Sequence, residues 1–334
     1  MRRVTLKDVA AAAGVSATTV SFVVNGRADH IPESTRHRVE QAIADLGYVP
    51  SARGRALASG RSRVVVCVSP AGPAADVIEQ FKRDLSHSLM TAGFTCVFLE
   101  RPSDGDQFIQ LWRHIDPACV VSWDALDPKE LLPLERAGVP TVAGLITGGT
   151  DTDRAVDQEA VGRAQVEHLA DLGHRHIAYA MPVMTREEES TARARRSGAI
   201  ETARERGLAE VTVSTVDIDA DQARIAVQSW TRARPRITAV AAYGDVQAIT
   251  ILEASRRLGV GVPDDLAIIG VDDLPLGELV FPTLSSVSLD LHAAAAHVAA
   301  RILAVVEPST NATPPMEQRP PRVMARESTL GADA

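Results

Sequence analysis

Apolar positions follow two rhythms along this chain, and the change between them near residue 63 marks a boundary. Up to residue 50 they recur at helical spacing: Leu6, Val9 and Ala10 share one face, Val20, Val23 and Val24 a second, and Val39, Ala42, Ile43 and Leu46 a third. Thr5 with Asp8 three residues on predicts one helix start, Ser16 a second, and a third helix follows Pro32. Gly14 falls where a turn needs a left-handed backbone, and Gly47 where the third helix stops. Two short helices across a glycine turn make a helix-turn-helix, whose second helix can enter the major groove of DNA. Ala17, Thr18, Ser21, Phe22 and Asn25 lie on the face of that helix turned from the core. A helical subdomain with no DNA role would share the spacing. Phe22 argues against it, because a large aromatic on a polar exposed face has no burial to explain it.

From Arg63 the pattern alternates short strand-like runs with helical stretches. Strands are predicted at 63–69, 94–99, 119–122 and 140–143, with helices at 75–92, 108–114 and 131–137 between them. A second series follows, with helices at 159–172, 190–206, 220–231 and 245–258 and strands at 177–180, 211–213, 239–242 and 266–270. Such alternation predicts an α/β fold of parallel sheets with helices on both faces. Two such domains in tandem would form a clamp, because ligands in open sheets sit beyond the carboxyl ends of the strands.

Charge sharpens the boundary. Residues 1–63 carry ten basic side chains against five acids, whereas the whole chain is −8, which leaves −13 for the remainder. A basic head on an acidic body suggests that the head alone meets phosphate, although basic helix faces are also commonly just solvated. Between them, residues 48–62 read either as a helix that forms only under favourable conditions, starting after Pro50, or as a flexible tether; Gly54 and a small apolar face disfavour a stable helix. Cys67, Cys96 and Cys119 are odd in number and lie in or near strand-like runs, which favours buried reduced thiols over a disulfide or metal site. No secretory apolar region opens the chain and no apolar run could span a bilayer, so a cytoplasmic, nucleoid-associated protein without membrane contact is expected.

Head and linker together resemble the lactose-repressor (LacI/GalR) family of bacterial transcription factors. Further along, His168-Leu169-Ala170-Asp171-Leu172-Gly173-His174, Gly261-Val262-Pro263-Asp264-Asp265 running on to Gly270-Val271-Asp272-Asp273, and Pro282-Thr283-Leu284-Ser285-Ser286-Val287 are similar to that family's signatures. Arg326-Glu327-Ser328-Thr329 resembles its closing strand. The resemblance implies a helix-turn-helix head at 1–50, a hinge at 51–62, and a domain at 63–330 for effector binding and dimerisation. That domain would consist of two Rossmann-like subdomains of periplasmic-binding-protein type, at about 63–160 plus 291–318 and about 161–290 plus 319–330, with an exposed loop at 307–319. It further implies a homodimeric regulator, most readily a repressor, that binds a pseudo-palindromic duplex and answers to a small-molecule effector, with no cofactor, metal or enzymatic activity.

Carried over by position, DNA contacts are expected from Thr5, Ser16, Ala17, Thr18, Thr19, Ser21, Phe22, Asn25 and Arg55, with Leu57 as a wedge in the minor groove. The effector would meet Pro70, Asp157, Arg195, Asp245 and Asp272. A guanidinium fork with carboxylates suits vicinal hydroxyls, although Arg195 also stands in an arginine-rich run and Asp272-Asp273 would equally suit a turn. Gly244 replaces the asparagine common in the family, which puts the usual sugar contact in doubt, and Gly54 makes hinge folding costlier by about 1 kcal/mol relative to alanine. Competing classes find little support. The chain has no G-x-G-x-x-G after the first strand, no P-loop and no G-x-S-x-G elbow; His174 and His176 lack a third ligand. A periplasmic binding protein would share the clamp but not the head.

Overall fold

The computed structural model describes residues 4–24, 28, 30–48, 62–69, 76–102, 104–123, 126–143, 156–183, 189–307 and 320–331. Asn25, Arg55, Leu57, Pro70 and most of the hinge and the 307–319 loop lie outside them. The chain divides into two compact units, Met1–Arg63 and Val64–Ala334.

The first unit holds helices α1 (Leu6–Ala13), α2 (Ala17–Val24) and α3 (Glu33–Leu46). Thr5 and Asp8 close a reciprocal capping box on α1, with the Thr5 amide donating to Asp8 Oδ2 at 2.8 Å. Gly14 and Gly47 take left-handed conformations with φ of 64° and 58°. At each stop the next residue, Val15 or Tyr48, donates its amide back into the preceding turn and packs on the core. α1 and α2 meet at 106°, a helix-turn-helix angle. Val9, Ala10, Ala13, Val20, Val39 and Ala42 form the core. The expected α3 stripe ends one turn early: Leu46 is 37% exposed, and Tyr48, folded back by the Gly47 cap, packs there instead.

The second unit is built on two sheets. The first contains β1 (Val64–Ser69), β2 (Thr95–Glu100), β3 (Cys119–Ser122) and β4 (Thr141–Val142), all parallel in the order β2-β1-β3-β4. Its unbroken apolar runs are buried on both faces, as parallel strands require. Helices α4 (Asp76–Thr91) and α11 (Leu291–Val306) cover one face, α5 (Gly105–Ile115) and α6 (Pro128–Arg136) the other. The three cysteines are free thiols under α4 and α11, and no cluster of three metal-binding side chains occurs among the described residues.

The second sheet contains β5 (Ile177–Met181), β6 (Thr212–Thr215), β7 (Ala239–Ala242), β8 (Ala267–Val271), β9 (Ser285–Ser288) and β10 (Arg322–Met324), in the order β10-β9-β8-β7-β5-β6. One face is covered by α7 (Gln158–Asp171) and α8 (Glu189–Glu205), the other by α9 (Ala220–Arg232) and α10 (Asp245–Leu258). The chain therefore passes between the sheets three times: after β4, after β9 to place α11 on the first sheet, and after α11 to add β10 to the second. Two expectations need correction. β10 runs antiparallel to β9, and the closing strand is Arg322–Met324, not Arg326–Thr329. Residues Glu327–Leu330 form a helical turn, α12. There Ser328 Oγ donates to Ile268 O and accepts from Ser285 N, so side chains replace the ladder that a strand would need.

Candidate functional site

In the head, Ala17, Thr18 and Phe22 are exposed, and Phe22 keeps 45% of its surface in the open. Ser21 is half-buried. Ser16 Oγ accepts from Thr19 N at 3.0 Å and bonds the Thr19 hydroxyl at 2.9 Å, so this pair starts α2. Thr5 is likewise engaged, its hydroxyl donating to Asp8 Oδ2 at 2.7 Å. Ser16 and Thr19 thus fix where α2 begins, Thr5 fixes the start of α1, and Ala17, Thr18 and Phe22 are the exposed residues of α2.

In the second unit, a polar cluster gathers at the carboxyl ends of β7 and β8. Arg195, on α8, is only 5% exposed. Its Nε donates to Gln158 Oε1 and its Nη1 to Tyr243 O, both at 2.6 Å, and the guanidinium lies over the Tyr243 ring at 4.7 Å. The remaining Nη2 stands 4.0 Å from Asp272 Oδ1, close enough for attraction and too far for a direct hydrogen bond. Burial pushes the Asp272 carboxyl up to about 6 against the opposing pull of Arg195. Its carboxylate accepts no hydrogen bond among the described residues.

Asp272 holds a left-handed backbone, φ 105°, and Asp273 follows at 52°. Such geometry costs about 1–3 kcal/mol per residue and needs outside support. Three successive amides supply it: Asp272 N donates to Val287 O, Asp273 N to Ser286 Oγ, and Leu274 N to Asp245 Oδ2. The Asp273 carboxylate is spent on Arg326 at 2.7 Å.

This arrangement corrects the role expected for Asp245. It is 1% exposed, with Oδ2 accepting from Leu274 N at 2.7 Å and Oδ1 from Ser286 Oγ at 2.6 Å. Burial raises its pKa to about 7 despite those two bonds, with a smaller contribution from Asp272 and Asp273. Asp245 thus braces the turn that carries Asp272, with both carboxylate oxygens already hydrogen-bonded. Asp157 is exposed and caps α7 through Ala160 N at 3.0 Å; its neighbour Gln158 is the one that reaches Arg195. Gln158 and Tyr243 were not legible as site residues, since neither belongs to a charged motif. His168 and His174 are absorbed by Thr329 and Thr238, as structural histidines.

Residues 5–51 match the family described as bacterial regulatory proteins, lacI family, and residues 166–329 match a periplasmic binding protein-like domain. Over 302 residues, 86% of this chain and 87% of the relative, the sequence is 30% identical to the HTH-type transcriptional regulator CelR of Thermobifida fusca. The chain belongs to the LacI family. Like its relatives in that family it is a DNA-binding transcriptional regulator, and those relatives are regulators, not enzymes. Among solved structures, a transcriptional regulator CelR–cellobiose complex is 26% identical, with a TM-score of 0.67 over 98% of this chain and all of that one. The lac repressor dimer bound to operator and the anti-inducer ONPF superposes at a TM-score of 0.81 with 23% identity, again over 98% of this chain and 100% of that one, which attests the shared fold.

Proposed function

We propose that this LacI-family regulator is a homodimeric repressor that binds a pseudo-palindromic operator, and that a neutral, hydroxyl-rich effector such as a sugar, held at Arg195 and Asp272, sets its affinity for DNA. The observation that carries the effector reading is the 4.0 Å gap between Arg195 Nη2 and Asp272 Oδ1. One hydroxyl bridging the pair from the side would accept from the guanidinium and donate to the carboxylate, which makes both bonds charge-assisted. An anionic ligand is disfavoured, because Asp272 faces the gap and Asp245 lies behind it. The three chain crossings would let the two sheets close on such a ligand, which supports a division into subdomains near the boundaries that the sequence suggests. In the head, Ala17, Thr18, Ser21 and Phe22 are proposed to read bases, with Thr5, Ser16 and Thr19 at the phosphates and Asn25, Arg55 and Leu57 completing the contact. No enzymatic activity is proposed, and the site of action is the bacterial cytoplasm.

Isothermal titration of the full chain with cellobiose, D-glucose, D-galactose and D-ribose, alongside gel shifts on a duplex selected from random sequence, tests this. Asp272→Asn and Arg195→Lys should weaken the bound sugar tenfold or more, the loss of one charge-assisted bond of about 1.5–3 kcal/mol, and abolish its effect on DNA affinity. Binding by none of the four sugars, or equal affinity in both variants, would refute the effector reading.

A further inference from the structure

Gln247 stands in the first turn of α10, with only 6% of its surface exposed. The other two buried glutamines near the site are each held by the protein: Gln158 accepts from Arg195, and Gln165 donates to the carbonyls of Ala242, Ile269 and Gly270, although its own Oε1 has no partner among the described residues. Gln247 differs, because its carboxamide makes no hydrogen bond among the described residues, and its polar atoms are not sealed from solvent. A side chain held this closely, with a polar end open to solvent and claimed by no protein group among the described residues, is available to a ligand that enters there.

Gly244 shows where the carboxamide reaches. Its backbone is extended, with φ of −155° and ψ of 172°, so glycine is not demanded by conformation. It is also the N-cap of α10 and brings no capping side chain to the space in front of it. A Cβ at this position would stand 3.3 Å from Gln247 Oε1 and 3.4 Å from Asp272 Oδ2. Both acceptors, one on α10 and one on the turn after β8, therefore lie beside the bare α-carbon of Gly244. A ligand seated against that face can donate hydrogen bonds to both.

We propose that Gln247 is an effector-contacting, specificity-determining residue: its carboxamide and the Asp272 carboxylate take neighbouring donors of a hydroxylated ligand, seated against the bare face of Gly244. The proposal rests on the effector reading above and adds to it a residue outside the Arg195–Asp272 pair. It also gives Gly244 a chemical role, since any side chain there would press on both acceptors.

Titration of the full chain with cellobiose, D-glucose, D-galactose and D-ribose decides it, using Gln247→Met, which keeps side-chain length and removes the polar end, and Gly244→Ala, with Asp272→Asn as reference. For a sugar that binds the wild type, Gln247→Met should raise the dissociation constant at least tenfold, about 1.4 kcal/mol, and Gly244→Ala should weaken it as well. The ligand-free Gln247→Met protein should melt near the wild-type temperature, because the carboxamide it loses holds no protein group among the described residues. Wild-type sugar affinity in Gln247→Met, with binding lost in Asp272→Asn, would overturn the role of Gln247 and leave the effector reading standing. A lowered melting temperature in Gln247→Met would show a structural role and also count against it. Failure of all four sugars on the wild type, or wild-type affinity in Asp272→Asn, would remove the effector reading and this proposal together.

Discussion

Asp245 shows how a single carboxylate can matter to a site it never touches. Gly270 makes room for it: a Cβ there would fall 2.1 Å from Asp245 Oδ1. Its two bonds then hold Leu274 and Ser286, and through them the left-handed Asp272. Because burial raises the folded-state pKa to about 7 from 3.8, the folded protein holds this proton more tightly than the unfolded chain does. The stability so gained is fully present below pH 3.8 and is lost as pH rises through about 7. Asp272 contributes in the same direction, lost through about 6. His168 and His174 act oppositely, since burial lowers both, so their contribution is present above 6.5 and is lost as pH falls. A difference between variants isolates the aspartate. Asp245→Asn keeps an acceptor for Leu274 N and can donate to Ser286 Oγ, so its stability relative to wild type should rise as pH increases from about 5 to 8. Urea unfolding at each pH measures it, and parallel curves would show that Asp245 is not the titrating group. Asp245→Ala should instead lose about 1–3 kcal/mol at every pH in that range, from the unsatisfied amide of Leu274.

At the scale of elements, α7 and α8 cross at two glycines, and that crossing positions Arg195. A Cβ on Gly162 would lie 1.8 Å from Arg195 O, and one on Gly198 would lie 2.0 Å from Glu159 O, so the helices touch backbone to backbone. The contact brings Gln158, at the start of α7, within reach of the Arg195 guanidinium. Gly162→Ala should therefore destabilise the protein by about 1–3 kcal/mol through overpacking and weaken sugar binding without touching the ligand. Chemical denaturation and titration together check this; unchanged affinity would mean that the crossing is not what aims Arg195. None of this was readable from spacing, because a glycine inside a helix carries no sign of which neighbour it approaches. By contrast, β3, β7 and α10 fell where the pattern placed them, since unbroken apolar runs and a helix closed by Gly259 need no tertiary information. The closing strand was misplaced because Ser328 and Thr329 are buried through hydrogen bonds rather than apolar surface. Arg195 and Asp272 were legible as candidates; the turn chemistry that sets Asp272 apart from Asp273 and Asp245 emerges only from the contacts of β9 and α10.

At the scale of the whole molecule, a basic segment of 63 residues precedes a remainder whose net charge is −13. α2 has eight residues, and its exposed face offers Ala17, Thr18 and Phe22 with no arginine or lysine for the bidentate contact to guanine. One such helix neutralises few phosphates and reads few bases, so tight and selective binding needs two heads on half-sites about one helical turn apart. Small apolar and aromatic groups favour thymine methyls over guanine edges. On a duplex selected from random sequence, footprinting and sedimentation should therefore show a dimer that protects two inverted half-sites, with thymines facing Phe22 and Ala17. Replacing those thymines by uracil removes the methyl and leaves every hydrogen-bonding group in place. Affinity should fall at those positions for the wild type and stay unchanged for Phe22→Ala. A monomer that protects a single half-site would refute the paired reading, and indifference of the wild type to uracil at every half-site thymine would refute the methyl contact.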